Sequence, residues 1–342
     1  MAGNSIGICL IGSGRAGLIH GRNFAGGIPG ARLVALVDPV PDALDKAVKE
    51  LGSIKGYLDY REALKAPDVD AVVIATPTAY HRDIAVAAAK AGKHILCEKP
   101  MAMTAPECAD MIAAADASRV KLQIGFMRRY DRSFMLAKER IAAGEIGQVV
   151  QVKSLTHGPS VPKPWMYDLK KSNGPLAEVN SHDIDALRWF TGGEFKSVYA
   201  VGGNYRCPDA KQAFPDFYDN VMLTATFSNG VQGFIGGAQG VRYGYDARVE
   251  ILGTAGILFI GHLRDTSVVS CTANGVAQPI VKSWMDLFLD AYRAEDEDFI
   301  RCILEDRAPK ASGLDGLRAV EVVNAGNESI RTGKPVALNT EP

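Results

Sequence analysis

The sequence predicts an α/β Rossmann-type domain on a parallel, doubly wound sheet, followed by an α+β domain on a large open, mainly antiparallel sheet. Three observations carry this. The first third alternates short apolar runs with helical patterns of about 10–15 residues, as expected of strands covered on both faces by crossover helices. Beyond residue 125 the apolar runs lengthen and alternate in steps of two, the mark of strands with one packed face. The length, 342 residues of which 47% are apolar, is ample for two cores.

In order, SIGICLIG (5–12) and ARLVALVD (31–38) read as the first two strands, followed by DAVVIATP (70–77), KHILCEKP (93–100) and KLQIGFM (121–127). Between them ALDKAVKELG, RDIAVAAAKAG and APECADMIAAADASR are rich in helix formers. The second half offers GQVVQVKSLTH, SVYAVGGNYR, DNVMLTATFSNGVQGFIGGAQ, RVEILGTAGILFIG and SVVSCTA as strands. Asn229-Gly230 marks a hairpin turn inside the third of these. Helices are expected near 131–143, 176–190, 287–305 and 313–331. The expected division is 1–124 for nucleotide binding and 125–342 for substrate binding and oligomerisation.

Several function classes find no support. The net charge is −1, so no electrostatic footprint for nucleic acid or an anionic membrane stands out. No apolar run approaches the roughly 20 residues that span a bilayer. The N-terminal MAGNSIGICLIG lacks a basic region followed by a long apolar one, so a signal peptide is not expected. The six cysteines are scattered without a CxxC pair, which points to free thiols in a reducing cytoplasm and not to zinc or disulfides.

A nucleotide loop is the first motif with chemistry. Gly12-Ser13-Gly14-Arg15-Ala16-Gly17 follows the first strand directly and opens a helix. The glycines permit a tight turn, close approach of backbone to a pyrophosphate, and close packing of helix on strand. The helix N-terminus then turns its N–H groups and positive dipole end toward phosphate. Asp38 ends the second strand, 21 residues beyond Gly17. A carboxylate there accepts from ribose hydroxyls and repels a 2′-phosphate, which favours NAD over NADP. Arg15 is a further candidate phosphate contact and keeps some NADP use open.

Two more stretches bear ionisable groups. CEKPMAM places Glu98, Lys99 and Pro100 after a later strand, at the edge where open α/β sheets bind ligands. A lysine there can polarise a substrate oxygen, and the following proline restricts its backbone. GPLAEVNSHDIDALRWF (174–190), read as one helix, sets Glu178, His182, Asp185 and Trp189 on one stripe. Spacing alone leaves three readings open: metal ligands, a proton relay or a solvated face. Metal fits poorly, because these side chains point along the stripe and no second His/Cys cluster accompanies them. A relay fits alcohol oxidation, which needs a proton acceptor near working pH, and imidazole begins near about 6.5.

On GSGRAG (12–17), TPTAYH (76–81), EKP (98–100) and HDID (182–185), the chain resembles the Gfo/Idh/MocA family over nearly its whole length. This is the glucose–fructose oxidoreductase and inositol dehydrogenase group. The resemblance implies oxidation or reduction of a secondary hydroxyl on a sugar or polyol, with a nicotinamide cofactor. GFMRRYD (125–131), YGYDAR (243–248) and WMDLFLDAYRAEDEDF (284–299) look most like the inositol dehydrogenase branch, so an inositol comes first as substrate and a sugar second.

By the same resemblance, His182 matches the family's proton acceptor and Lys99 its polarising lysine. Asp185 would hold a substrate hydroxyl or orient the imidazole. Thr76, Pro77, His81 and Glu98 join the cofactor set, with a structural cap as the second reading of His81. His157 and Asn180 would hold neighbouring hydroxyls, and Trp165, Tyr243, Tyr245 and Trp284 are aromatic candidates for a polyol pocket. Many relatives carry Asp where Glu178 stands, so Glu178 is a substrate-pocket candidate with a longer arm; inositol dehydrogenases tend to carry Arg-Asp-Pro where this chain has His157-Gly158-Pro159. Arg128 and Arg129 could pair with cofactor or substrate, but two adjacent arginines read first as surface or interface charges; His20, His94 and His262 read as structural. The family implies substrate bound between the two domains and a homo-oligomer, dimer or tetramer, formed through the open sheet. Two alternatives remain: a glycosidase of the same fold that retains NAD, and a cofactor-binding regulator, against which the presence of both Lys99 and His182 argues.

Overall fold

The computed structural model describes residues 5–52 and 54–339. The first four residues of the N-terminal stretch discussed above lie outside the described residues. The chain divides into two compact units: Met1–Tyr130 with Leu289–Val320, and Asp131–Phe288 with Glu321–Pro342. The sequence suggested one boundary near 125. The first unit instead runs on to Tyr130 and regains residues 289–320 late in the chain.

The first unit is built on β1 (Ile6–Ile11), β2 (Ala31–Val37), β3 (Lys55–Tyr57), β4 (Ala71–Ile74), β5 (His94–Glu98) and β6 (Leu122–Gly125). They form one six-stranded sheet in the order β3-β2-β1-β4-β5-β6, and every pair is parallel. The crossovers carry α1 (Arg15–Ala25), α2 (Pro41–Leu51), α3 (Tyr60–Ala63), α4 (His81–Lys90) and α5 (Ala105–Ser118). All four residues of β4 are buried, as a strand covered on both faces requires. Ile8, Leu10, Leu36, Val73 and Leu96 from the sheet pack with Phe24 of α1, Leu44 of α2, and the late residues Phe299 and Ile300. Each such side chain contributes about 1.5–3 kcal/mol by leaving water. Helix starts follow local chemistry: Pro41 enters α2, and Thr104 with Glu107 forms a capping box on α5.

The second unit contains α6 (Arg132–Ala142), β7 (Val149–Gly158), α7 (Leu169–Ser172), α8 (Gly174–Glu178), α9 (Ser181–Thr191), β8 (Phe195–Gly203) and α10 (Ala210–Ala213). Then come β9 (Asn220–Phe227), β10 (Gln232–Gln239), β11 (Asp246–Gly253), β12 (Ile257–Ile260), and the small pair β13 (Ser270–Thr272) and β14 (Gly275–Ala277). The chain finishes with α11 (Trp284–Leu304), α12 (Gly313–Thr332) and β15 (Val336–Ala337). Seven strands make the large sheet, in the order β12-β11-β7-β10-β9-β8-β15. Its one parallel pair is β7 with β10. The β9–β10 turn uses Ser228–Val231, with Gly230 at φ +83°, a conformation glycine accepts without steric cost.

Alternation makes this sheet two-faced. In β9, Val221, Leu223, Ala225 and Phe227 are buried, while Met222, Thr224 and Thr226 are exposed between them. Tyr199 and Val201 of β8, Leu252 of β11 and Phe259 of β12 are exposed as well.

Candidate active site

The nucleotide loop has the geometry its glycines suggested. Gly12 leaves β1 with φ +101°, and a Cβ there would lie 2.6 Å from the Ala75 carbonyl oxygen. A Cβ on Gly17 would lie 2.0 Å from the Gly12 oxygen, so α1 packs directly against the loop. A Cβ on Gly14 would meet nothing within 4 Å, which leaves the loop approachable there. No side chain caps α1, so its first-turn N–H groups are available to an anion.

Asp38, just past β2, is held ready. Its Oδ2 accepts from the Ser13 N–H at 3.0 Å and the Ser13 hydroxyl at 2.5 Å, and its Oδ1 accepts from Val40 N–H at 3.0 Å. A dinucleotide with free ribose hydroxyls fits this loop. Asp38→Ser removes the charged acceptor, worth about 1.5–3 kcal/mol, or roughly 10- to 100-fold. We expect kcat/KM with NAD to fall by that factor while NADP gains on it. An unchanged NAD/NADP ratio would remove Asp38 from the specificity determinants.

At the carboxyl ends of β4 and β5, Thr76 is half-buried and Pro77 is exposed. His81 lies between two main-chain carbonyls. It is 1% exposed, with Nδ1 2.9 Å from the Pro100 oxygen and Nε2 2.8 Å from the Thr76 oxygen. It clamps the ends of two strands together. Burial holds its pKa below the usual value, against the two carbonyls that would favour charge. Glu98 also turns inward: Oε2 accepts the Lys99 main-chain N–H at 3.0 Å and Oε1 lies 3.2 Å from His20 Nε2. Lys99 itself is half-buried. His20, read as structural, is fully buried and paired through Nδ1 with Asp296 at 2.6 Å. Arg128 and Arg129, read as surface or interface charges, are buried. Arg129 binds Asp315 at 2.8 Å and the Lys310 carbonyl at 2.5 Å.

In the second unit the single helix expected over 176–190 is two. α8 stops at Glu178 and α9 starts at Ser181, so Glu178 is not on the His182 stripe. Asn180 sits at the break, fully buried, and donates to Asp183 Oδ2 at 2.8 Å and weakly to the Gly236 oxygen at 3.4 Å. Its amide nitrogen thereby braces the break between the two helices. Asp183 is also fully buried, and its Oδ1 accepts from Ser154 Oγ at 2.6 Å and Thr156 Oγ1 at 3.0 Å. It thereby pins α9 to the inner face of β7. His182 and Asp185 follow on neighbouring turns of one face, 6% and 3% exposed. Trp189, one turn further, lies under the Lys138 ammonium.

His157 is on β7 too, but in odd register to Ser154 and Thr156, so the two-residue period turns it to the opposite face. There its Nδ1 meets the Tyr243 hydroxyl at 2.5 Å. Tyr243 donates to Asp246, which Arg248 grips through two nitrogens at 2.7 and 2.9 Å. Burial and Asp246 push the Tyr243 phenol up to about 12. Burial lowers His157 against the pull of Asp246 and Asp183. Trp165 is exposed, Trp284 is half-buried at the start of α11, and Tyr245 is buried. Among the described residues, no group of three or more His, Cys, Asp or Glu side chains is arranged to hold a metal. No described helix is long and apolar enough to cross a membrane.

Residues 6–126 match the model of an oxidoreductase family with an NAD-binding Rossmann fold, and residues 134–259 match the GFO/IDH/MocA C-terminal domain. A scyllo-inositol 2-dehydrogenase (NAD(+)) of Bacillus subtilis (strain 168) is 34% identical, over 97% of this chain and 96% of its own. The chain belongs to the Gfo/Idh/MocA family. A myo-inositol 2-dehydrogenase of Thermotoga maritima is 32% identical over 97% and 98% of the two chains. The crystal structure of scyllo-inositol dehydrogenase from Lactobacillus casei, with bound NAD(H) and scyllo-inositol, is similar at TM-score 0.89 and 29% identity, covering 97% of this chain and 99% of that one.

As a Gfo/Idh/MocA member, the protein is an oxidoreductase whose first domain is of the NAD-binding type. Sequence reasoning missed three polar residues that organise the two units, Asp183, Asp246 and Asp296, and the carboxylate partners of His20. Asp183 had a signal, since it lies inside the HDID motif. Asp246 lies inside YGYDAR. Asp296 sits in a run of four acids, Glu295 to Asp298, of which Glu295, Asp296 and Asp298 are buried.

Proposed function

We propose that this family member oxidises a secondary hydroxyl of a cyclic polyol, an inositol, with NAD. The observation that carries the proposal is the joint presence of a pre-oriented Asp38 and of Lys99 at the carboxyl edge of the same parallel sheet. The inositol dehydrogenases that align along almost the whole chain support the substrate class. When bound, NAD supplies the two-electron acceptor for the hydrogen on carbon. The protein's part is to manage the oxygen. The Lys99 ammonium stabilises alkoxide character, an effect of the kind that positive groups exert on developing oxyanions. His182 takes the hydroxyl proton as general base, and Asp185, one turn on, orients the imidazole or a neighbouring hydroxyl. The substrate thus loses two hydrogens and becomes a ketone, one leaving with the electron pair and one as a proton.

We assign the exposed face of the seven-stranded sheet to self-association as a dimer or tetramer. Tyr199, Val201, Met222, Leu252 and Phe259 supply an apolar surface of the kind a partner covers. His157 and Tyr243 belong to this face. The six free cysteines, five of them buried, fit a reducing compartment such as the cytoplasm.

The test is NADH absorbance across inositol stereoisomers, aldoses and aldonic acids. The reading requires the highest kcat/KM with an inositol. No NADH from any of them, with NAD retained through gel filtration, would point to the glycosidase chemistry of the same fold.

A further inference from the structure

A buried charged chain runs beneath the lysine turn, and the steps above make no use of it. Asn23 of α1 donates to Asp296 Oδ2 at 2.8 Å. Asp296 Oδ1 lies 2.6 Å from His20 Nδ1, and His20 Nε2 lies 3.2 Å from Glu98 Oε1. Glu98 Oε2 then accepts the Lys99 main-chain N–H at 3.0 Å. His20 and Asp296 are fully buried, and Glu98 is 5% exposed. Buried charge pairs of this kind add little net stability over apolar side chains of equal volume. Stability alone therefore gives no reason for this arrangement.

We propose that His20, held by Asp296, is a positioning residue for Lys99: it fixes the Glu98 carboxylate that holds the Lys99 main chain. The proposal rests on Lys99 acting as described above. It ties the lysine to α1, the helix that opens at the nucleotide loop, so the two groups share one brace.

The brace depends on charge. Each ring nitrogen of His20 faces a carboxylate oxygen, so with both carboxylates ionised the ring satisfies them only as imidazolium, donating twice; burial raises the Asp296 pKa, and His20 and Asn23 pull it back down. Burial by itself lowers the His20 pKa; Asp296 and Glu98 outweigh it and raise the pKa well above the usual value. Asp296 and Tyr292 face the ring from α11 and Glu98 faces it from β5. From α1, Asn23 reaches Asp296. A histidine raised in the folded state keeps its contribution below the unfolded value of 6.5 and loses it as pH rises through the folded value. The brace is accordingly intact at neutral pH and loosens on the alkaline side.

Three variants test this. Asp296→Asn keeps shape and a hydrogen-bonding partner but removes one charge that holds the imidazolium. Its alkaline limb of kcat should move down by about one pH unit or more, with kcat at pH 6 and the Kd for NAD close to wild type. His20→Ala should lower kcat about 10- to 100-fold, as a small misplacement of a polarising group does, with little change in KM. His20→Gln, whose amide can still donate to Glu98, should recover part of the loss. Independently of turnover, ¹⁵N NMR of histidine-labelled protein, assigned with His20→Gln, should show His20 as imidazolium at pH 8 in wild type and neutral in Asp296→Asn. A neutral wild-type His20 at pH 7 overturns the proposal. So does an unchanged kcat–pH profile in Asp296→Asn and His20→Ala when Lys99→Ala is inactive. Should Lys99→Ala keep full activity, the role of Lys99 is what fails, and the NMR result still decides the state of the brace.

Discussion

Lys99→Ala should lower kcat for inositol oxidation by on the order of 10³-fold, the scale of losing an electrostatic stabiliser of a developing oxyanion. NAD binding, followed by fluorescence titration, should stay within about threefold. The separation is expected because alanine leaves the main chain intact. The Lys99 N–H would still donate to Glu98, and Glu98 would still rest on His20. The nucleotide loop depends on Gly12, Gly17 and the Ser13–Asp38 pair, none of which uses the Lys99 side chain. His182→Ala should cost about 10²- to 10⁴-fold, the usual range for a general base. Its loss should shrink as pH rises and hydroxide competes as proton acceptor. Wild-type turnover in either variant would refute the role assigned to that residue.

Asp183→Ala should be the most damaging of these substitutions for stability. It strips an acceptor from Ser154, Thr156 and Asn180, all buried. Unsatisfied buried donors of this number cost about 3–5 kcal/mol together. The urea midpoint, read by far-UV circular dichroism, should fall accordingly. Asp183→Asn should lose less, because its carbonyl oxygen can still accept from the two hydroxyls on β7. An unfolding free energy within about 0.5 kcal/mol of wild type would mean that α9 is held to the sheet by its apolar contacts alone.

The parts of the fold that were legible are those whose signal is local. IGICLI and AVVI are continuous apolar runs because both faces of the parallel sheet are covered. β9 alternates because only one of its faces is. β3 and β15, of three and two residues, are too short to show any period. The helix break at residues 179–180 escaped for a different reason. A stripe drawn at 100° per residue assumes an unbroken helix, whereas Asn180 uses its amide on Asp183 and Gly236. On an unbroken helix Glu178 would stand one turn before His182; the break takes it off that stripe.

The same limit applies to the charged residues. Two adjacent arginines read as surface charge, yet Arg129 finds its carboxylate 186 residues later, at Asp315. His20 finds Asp296 across 276 residues. By itself the sequence determined the fold class, the nucleotide loop with its acidic partner at the end of β2, and the lysine at the sheet edge. Each of these is written in spacing over a few tens of residues. Only the tertiary structure decided which ionisable side chains are buried, which of them pair, and that His157 and His182 belong to opposite sides of the β7 strand. A charge can be buried only where an opposite charge or a hydrogen-bond partner meets it, and that partner is chosen by the packing of elements far apart in the chain.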